Sequence, residues 1–292
     1  MNLDLNYSFI KQNMPWLMKK RQMNAHKGDC GSVAVIGGAP GMQGAVILAA
    51  TTALKSGCGK VFFSLIQKEN VFSDINRLAE LMQCTVDEMF CAINRTNALV
   101  IGCGLGLSLA AEQCLEKFLF ACCCPIVIDA DALNLIAQKR FIVSFSPKRH
   151  ILTPHPAEAA RLLGISTQMV QQDRVAAIKR LAEKYHATIV LKGPHTLVYS
   201  SVENDVYINP SGNCALATAG SGDVLSGLIG GLLAQGFPVL EAAKAGVFLH
   251  GLAADYWCQK HGGPIGLIAS ELADIIRLLR NRIAYLNLVE KD

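Results

Sequence analysis

A short glycine-rich segment, AGSGD at residues 219–223, comes immediately before a stretch with helical character. Glycines let a backbone approach a ligand closely, and the free N–H groups and dipole of a first helical turn favour an anion. The segment therefore predicts a phosphate cradle at Gly220, Ser221 and Gly222. Asp223 would lie beside the phosphate, where its carboxylate can accept the proton of an attacking hydroxyl. A tight turn followed by an ordinary acidic helix N-terminus explains the segment equally well.

Two acids and an amide, Asp129, Asp131 and Asn134, lie at the end of another predicted strand. Carboxylates at a strand end can hold Mg²⁺ through water, because this ion keeps several of its waters. Asp129 is therefore a candidate metal ligand, and Glu158, expected in the first turn of a later helix, is a second one. The alternative for Asp131 is helix capping, and for Glu158 an ordinary place in a first helical turn.

His155 stands between Pro154 and Pro156, at the end of a further predicted strand. Each proline fixes its own φ and restricts the residue before it, so the histidine is held stiffly. This rigidity suits a hydrogen bond to a ligand, and it suits a structural histidine almost as well.

A cation, a flexible glycine and a hydroxyl follow the next predicted strand, in the segment Lys192, Gly193, Pro194, His195 and Thr196. A lysine and backbone groups at a sheet edge suit the phosphates of a nucleotide. The alternative is a β-turn without a ligand.

Three further glycine-rich segments, 37–45, 56–61 and 102–106, adjoin predicted strands. The last has Leu107 at the final glycine position of the dinucleotide fingerprint, and segment 56–61 lacks the first glycine and the Ser/Thr of a P-loop. Both standard nucleotide motifs are therefore disfavoured. We expect the three loops to converge at the carboxyl edge of one sheet, where α/β proteins bind ligands.

Short apolar runs alternate with helical stretches along the chain, which predicts an α/β fold. The runs are continuously apolar, as in parallel strands covered on both faces. We expect one domain over residues 26–292, preceded by an N-terminal arm or edge helix at 1–25. Predicted strands are 32–36, 61–65, 98–101, 126–129, 151–153 and 188–192, with a hairpin at 196–199 and 206–208. Predicted helices are 44–56, 109–120, 157–163 and 170–185, and the chain is predicted helical from 219 to about 285, with interruptions near 236–238 and 262–264.

Composition narrows the class of partner. The 292 residues are 51% apolar and 17% charged, with a net charge of +4 and no run of five or more like charges, which excludes disorder and makes nucleic acid a poor partner. No apolar run reaches the length of a membrane span, so we expect no membrane association. Eleven scattered cysteines without a C-x-x-C pair indicate neither disulfides nor zinc, and favour a reducing cytoplasm.

Seven segments together resemble the ADP-dependent NAD(P)H-hydrate dehydratases of the ribokinase-like superfamily, in that family's order. They are 26–31, 37–45, 102–106, 129–134, 153–158, 192–196 and 209–227. The resemblance implies a three-layer fold with a mainly parallel central sheet and helices on both faces. It also implies that the enzyme phosphorylates the ring hydroxyl of hydrated NADH or NADPH, S epimer, from ADP, and then releases phosphate to restore the ring and leave AMP.

The resemblance also implies roles for individual residues. Positions corresponding to Ala45, Gly104, Gly106, His155 and Asp223 contact the hydrated nicotinamide, with Asp223 as the catalytic base. Segment 192–196 and Gly220–Gly222 bind the adenine nucleotide, Mg²⁺ accompanies the phosphates, and relatives form homotetramers. The chain departs from the family at Met42, Cys103 and Ala157, which we expect to lie away from the chemistry.

Two other functions remain open at the level of sequence. A vitamin or sugar kinase of the same fold would stop after phosphorylation, since hydroxyethylthiazole kinases share the glycine–aspartate segment. A non-catalytic nucleotide sensor would bind without turnover, although it has no evident need for Asp223.

Overall fold

The computed structural model describes residues 7–66, 79–139, 145–203 and 205–285. The strands are β1 (Ser32–Gly37), β2 (Lys60–Leu65), β3 (Met82–Gln83), β4 (Ala98–Ile101), β5 (Ile126–Ile128), β6 (His150–Leu152), β7 (Thr188–Leu191), β8 (Leu197–Tyr199) and β9 (Tyr207–Ile208). They form one sheet in the order β3-β2-β1-β4-β5-β6-β7-β8-β9. Pairing is parallel from β3 to β7 and antiparallel at β8 and β9. The mainly parallel sheet is therefore confirmed.

Helices connect the strands and cover the sheet. They are α1 (Tyr7–Asn13), α2 (Gln43–Lys55), α3 (Val86–Ala92), α4 (Leu109–Ala121), α5 (Asp131–Lys139), α6 (Pro156–Leu163), α7 (Thr167–Gln172), α8 (Arg174–Tyr185), α9 (Ser221–Ala234), α10 (Val239–His261) and α11 (Ala269–Tyr285), with short 3₁₀ turns at Pro15–Met18, Ile93–Arg95 and Cys214–Leu216. No helix in the described ranges is long and apolar enough to cross a bilayer.

Two apolar clusters lie on opposite faces of the sheet. Successive residues of a strand point to opposite faces, so Val33 and Val35 of β1 join one cluster while Ala34 and Ile36 join the other. The first cluster contains α2, α9, α10 and α11, and the second contains α4, α5, α6 and α8. This arrangement confirms the expected three layers.

The N-terminal segment packs on the first of these clusters. Ile10, Met14 and Leu17 are buried, and Trp16 stacks at a tilt on Phe237 with 5.5 Å between ring centroids. Residues 7–18 thus contribute apolar side chains to the same core as the helices that follow the sheet.

Most element boundaries predicted from sequence are confirmed to within one or two residues, including the antiparallel hairpin of β8 and β9. Asn204, predicted in its turn, lies outside the described residues. The single helix predicted over 170–185 is wrong, because Asp173 leaves the helical region with a φ of −142° and caps α8 by accepting from the Ala176 N–H. The short elements β3 and α3 were not predicted, and helix α5 was not predicted either.

Close packing of α2 against α9 sets both helix starts at the carboxyl edge of the sheet. α9 is buried along almost its whole length, and Gly227 allows the helices to touch. A Cβ at Gly227 would lie 2.0 Å from the Ala49 carbonyl oxygen, a distance that real side chains do not adopt. The helices therefore cannot approach this closely with any larger residue there.

Gly227→Ala should destabilise the protein by about 1–3 kcal/mol, because the added methyl group must push α9 away from α2. Gly44→Ala is a matched control, since a Cβ on this helical glycine meets no atom within 4 Å and should be neutral or stabilise by about 0.5–1 kcal/mol. Chemical denaturation of the two variants measures the difference. Equal changes in the free energy of unfolding would contradict the close contact.

Candidate active site

The start of α9 presents the backbone N–H groups of Gly222 and Asp223 at the carboxyl edge of the sheet, and neither has an acceptor among the described residues, whereas the Ser221 N–H donates to the Thr218 carbonyl at 3.3 Å. Gly220 precedes the helix with a φ of 84°, in the left-handed region, and no side chain caps the first turn. Ser221 Oγ instead lies 3.2 Å from Nε2 of His250, whose pKa burial lowers to about 4. The His250 ring is therefore neutral near pH 7 and adds no charge, so the attraction of the first turn for an anion comes from its backbone N–H groups and the helix dipole.

Asp223 lies in that first turn, beside a second carboxylate. The carboxyl oxygens of Asp223 and Asp129 and the Cys103 sulfur all lie within 4.8 Å of one another. Burial, together with repulsion from Asp129, raises the pKa of Asp223 to about 6, while a hydrogen bond with the Cys103 thiol opposes the shift. Asp223 is thus a carboxylate whose affinity for a proton is tuned towards neutral pH, as a general base requires.

Asp129 is anchored by a buried lysine. Lys192 Nζ lies 2.7 Å from Asp129 Oδ1, and Ser226 Oγ donates to Asp129 Oδ2 at 2.7 Å. Burial alone would raise the pKa of Asp129, but the Lys192 ammonium outweighs it and holds the pKa below its usual value. Asp129 is therefore the ionised member of the acid pair.

Glu158 is the weaker partner of the same lysine, with Oε2 3.8 Å from Lys192 Nζ. Burial and the nearby Asp129 charge raise the pKa of Glu158. Both acids predicted as metal ligands thus lie close to Lys192, and both oxygens of Asp129 already have partners. A cation would reach Asp129 directly only if Lys192 moved, whereas a water-bridged contact needs no such movement.

His155 caps α6. Its Nδ1 accepts from the N–H groups of Ala157 and Glu158, and the Glu158 carboxylate accepts from the His155 N–H in return. Burial and the Lys192 charge lower the pKa of His155, so the ring is neutral with its proton on Nε2. That nitrogen lies 3.4 Å from Glu158 Oε1 and belongs to a half-exposed side chain. The ring is both a structural cap and an available donor.

The loops after β1 and β4 pack against each other. A Cβ at Gly104 would lie 2.8 Å from the Met42 Cβ and 3.2 Å from the Ala45 Cβ. The Gly106 N–H donates to Asp131 Oδ2 at 2.8 Å, which gives Asp131 a role besides beginning α5. The predicted substrate positions Ala45, Gly104 and Gly106 are therefore neighbours. Segment 56–61 does not join them, because it precedes β2 and so lies at the opposite edge of the sheet.

Arg174 holds the loop after β7. Its guanidinium donates to the carbonyl groups of Leu191, at 3.0 Å, and of Lys192 and Pro194. Thr196 Oγ1 donates to the Gly193 carbonyl at 2.9 Å, which closes the turn. The loop reaches the start of α9, because a Cβ at Gly222 would lie 3.5 Å from Lys192 Nζ.

The sequence did not identify three residues that contact the candidate site residues. Arg174 and Ser226 carried no local signal, although Ser226 lies one turn after Asp223 on the same helix. Cys103 was expected to lie away from the chemistry, and this is wrong, since its buried sulfur adjoins Asp223. Met42, which also departs from the family pattern, packs directly on Gly104.

The protein is similar to known proteins both in its fold and in its sequence. The structure matches a ribokinase-like superfamily protein from Enterococcus faecalis with a TM-score of 0.84, at 26% identity over 96% of this chain and 95% of that one. The protein therefore has a ribokinase-like fold with a candidate phosphate-binding helix start. A family model described as NAD(P)H-hydrate dehydratase matches residues 33–278, and the chain belongs to this family.

Two named relatives extend the comparison. An ADP-dependent (S)-NAD(P)H-hydrate dehydratase from Neisseria meningitidis is 48% identical over 92% of this chain and 91% of its own length. An ADP/ATP-dependent NAD(P)H-hydrate dehydratase from Bacillus subtilis, co-crystallised with ATP and Mg²⁺, has a TM-score of 0.81 at 30% identity, covering 97% of this chain and all of that one. The chain spans about half the length of the bifunctional NAD(P)H-hydrate repair enzymes that it also matches.

Asp223→Asn should stabilise the fold at high pH. The native pKa of about 6 exceeds the ordinary value of 3.8, so the stability that the protonated carboxyl contributes is lost as pH rises through this interval. In wild type, the free energy of unfolding falls by at most about 3 kcal/mol over this interval. An uncharged asparagine avoids this loss. Denaturation at pH 8 and pH 4 should show most of the gain at pH 8.

Asp87→Asn is the control for this comparison, because Asp87 also lies in a first helical turn but its side chain is 89% exposed. Its effect should be small at both pH values. A gain for Asp223→Asn that is the same at pH 4 and pH 8 would contradict the raised pKa.

Proposed function

We propose that the protein catalyses the ADP-dependent dehydration of the S epimer of hydrated NADH and NADPH, and so repairs nicotinamide cofactors. One observation carries the proposal: a desolvated carboxylate, Asp223, lies in the first turn of a helix where the N–H groups of Gly222 and Asp223 have no acceptor among the described residues and can receive a phosphate. The 48% identity to the Neisseria enzyme supports the choice of substrate and phosphoryl donor.

In the first step the hydroxyl on the reduced nicotinamide ring attacks the β-phosphorus of ADP. Asp223 accepts the hydroxyl proton, an O–P bond forms, and the bond between the β-phosphorus and its bridging oxygen breaks to release AMP. Phosphoryl transfer depends mainly on positioning and charge stabilisation. The α9 N–H groups stabilise the charge that develops on the transferred group, a contribution worth about 2.7–4 kcal/mol for one donor in a comparable site.

In the second step the phosphate leaves the ring. The C–O bond breaks with its electrons on the phosphate oxygen, a proton is lost from the neighbouring ring carbon, and the ring double bond is restored. Phosphate is a far better leaving group than hydroxide, which explains why the dehydration consumes ADP. The products are NADH or NADPH, AMP and phosphate.

Lys192 and the loop through Thr196 hold the adenine nucleotide. Lys192 Nζ adjoins both the α9 start and Asp129, and an ammonium has three N–H donors, so Lys192 can contact a phosphate there while it stays paired with Asp129. Asp129 and Glu158 would hold Mg²⁺ through its waters, since buried carboxylate oxygens are ligands that this ion accepts. The ion would neutralise charge on the phosphates.

The hydrated ring binds where the first two loops meet. Ala45, Gly104 and Gly106 are neighbours there, with Met42 packed on Gly104, and His155 offers its Nε2 hydrogen to a ring substituent. We expect the enzyme to act in the cytoplasm and to form a homo-oligomer such as the tetramer of its relatives. Light scattering of the purified protein tests the oligomeric state.

Incubation with hydrated NADH and ADP should restore the absorbance of reduced nicotinamide and produce AMP. ATP in place of ADP tests the donor preference. Asp223→Asn should keep the fold and ADP binding but lower turnover by about 10²–10⁴, the usual contribution of a general base.

Wild-type turnover should rise with pH through about 6 as Asp223 loses its proton.

Other outcomes of this assay identify the alternatives. A phosphorylated product that accumulates without absorbance recovery indicates a kinase, and nucleotide binding without turnover on any hydroxylated substrate indicates a sensor. Near-wild-type turnover of Asp223→Asn would exclude Asp223 as the base.

Arg174→Gln should weaken ADP binding about tenfold, because the loop after β7 loses the charged donor that fixes three of its carbonyl groups. Arg180→Gln, an exposed arginine on the same helix, should leave binding unchanged. Calorimetric titration with ADP measures both. Equal affinity in the two variants would show that Arg174 does not order the nucleotide loop.

A further inference from the structure

A cavity of about 750 Å³ lies at the opposite end of the molecule from the candidate active site. It adjoins Lys55 and Gly57 at the end of α2, and Gln235 at the end of α9, whereas Ala45 and Asp223 lie at the starts of these helices. It is therefore not an extension of the nucleotide or nicotinamide sites.

The lining of this cavity is strongly basic. Six cationic side chains face two acidic ones, Asp29 and Glu80, among the described residues. The cations are Lys19, Lys20, Arg21, Lys55, Arg277 and Arg280. The excess is as large as the net charge of the whole chain, +4.

Some of these cations already have partners. Lys55 and Arg277 pair with Asp274, each at 2.7 Å. Arg21 donates to the Gly57 carbonyl just past the end of α2, where a cation complements the helix dipole. Helix termini and surface ion pairs therefore account for three of the six.

Arg280 has no such explanation. Within the described part of the chain, no carboxylate lies within 4.0 Å of its guanidinium, and its recorded contact is with the Phe237 ring at 5.6 Å. A Cβ at Gly57 would lie 2.8 Å from Arg280 Nη1 and 3.2 Å from Arg21 Nη2, so two guanidinium groups converge on this glycine. Burial and the Arg21 charge lower the pKa of Arg280 to about 10.

Aromatic rings complete the cavity. Trp16, Phe237 and Tyr285 line it, and Lys20 lies 5.9 Å from the centre of the Tyr285 ring. A guanidinium group can donate two parallel hydrogen bonds to the oxygens of one phosphate. Aromatic side chains can stack on the flat ring of a ligand. The volume is within the range of small-molecule sites, about 300–1,000 Å³.

We propose that this cavity is a second ligand site, which binds a small phosphorylated molecule carrying a flat ring. Arg280 and Arg21 hold its phosphate, and Tyr285 contacts the ring, because Lys19 Nζ already lies 2.9 Å from the centre of the Trp16 ring. The site is separate from the repair reaction, so its occupation does not require turnover.

Trp16 fluorescence reports on this cavity directly, because the chain has only two tryptophans and Trp257→Phe leaves Trp16 alone. In that background, pyrophosphate and AMP should each change the fluorescence saturably, with AMP binding more tightly than pyrophosphate because it adds a ring. Arg280→Gln should weaken both by about tenfold or more, without loss of repair activity. Arg282→Gln is the matched control, two residues along the same helix and outside the cavity, and should bind as the parent does.

If Arg280→Gln does not fold, Lys20→Gln is the second test, because Lys20 is exposed. The loss of its charge should weaken binding of both probes severalfold. The proposal is overturned if neither probe gives a saturable signal, or if Arg280→Gln and Arg282→Gln bind alike. If neither probe binds and Arg280→Gln changes the oligomeric state, the cavity accommodates a second copy of the chain instead of a small ligand.

Discussion

The buried ion pair between Lys192 and Asp129 is the interaction on which the site depends. It joins the ends of β5 and β7, and Ser226 attaches α9 to the same carboxylate. Removing two charges from water is expensive, and only a close, fully hydrogen-bonded pair recovers that free energy. Loss of either partner would leave an uncompensated buried charge, so the pair fixes the relative positions of three elements that carry site residues.

The same pair separates the behaviour of neighbouring carboxylates. Asp129 stays ionised because the ammonium is adjacent, and its charge then makes ionisation of Asp223 harder. When the environment pushes the pKa values of two acids apart, one acid keeps a fixed charge and the other can accept a proton. The proposed chemistry thus depends on an asymmetry in burial and pairing between two aspartates.

Local patterns in the sequence were sufficient for most of the fold. Continuous apolar runs identified the parallel strands, because a strand covered on both faces must be apolar on both. The break at Asp173 was missed because the helical periodicity continues across it, while the aspartate side chain caps the second helix. The short strand β3 has too few residues to show a period.

The site was predictable only where its parts are contiguous. The α9 start and the loop after β7 were found from residue types within five positions of one another. Asp129 was singled out as a metal ligand, but its pairing with Lys192, 63 residues away, has no sequence signature. Arg174 and Cys103 were missed for the same reason, since both act through distant contacts.

The most direct test of this account is the pKa of the Asp223 carboxyl in the folded protein. Carbon-13 NMR titration of aspartate-labelled protein, with the resonance assigned by its absence in Asp223→Asn, measures it without reference to turnover. The account predicts a midpoint of about 6. A midpoint at or below the ordinary value of 3.8 would show that Asp223 is solvated or paired, and would contradict its role as the base.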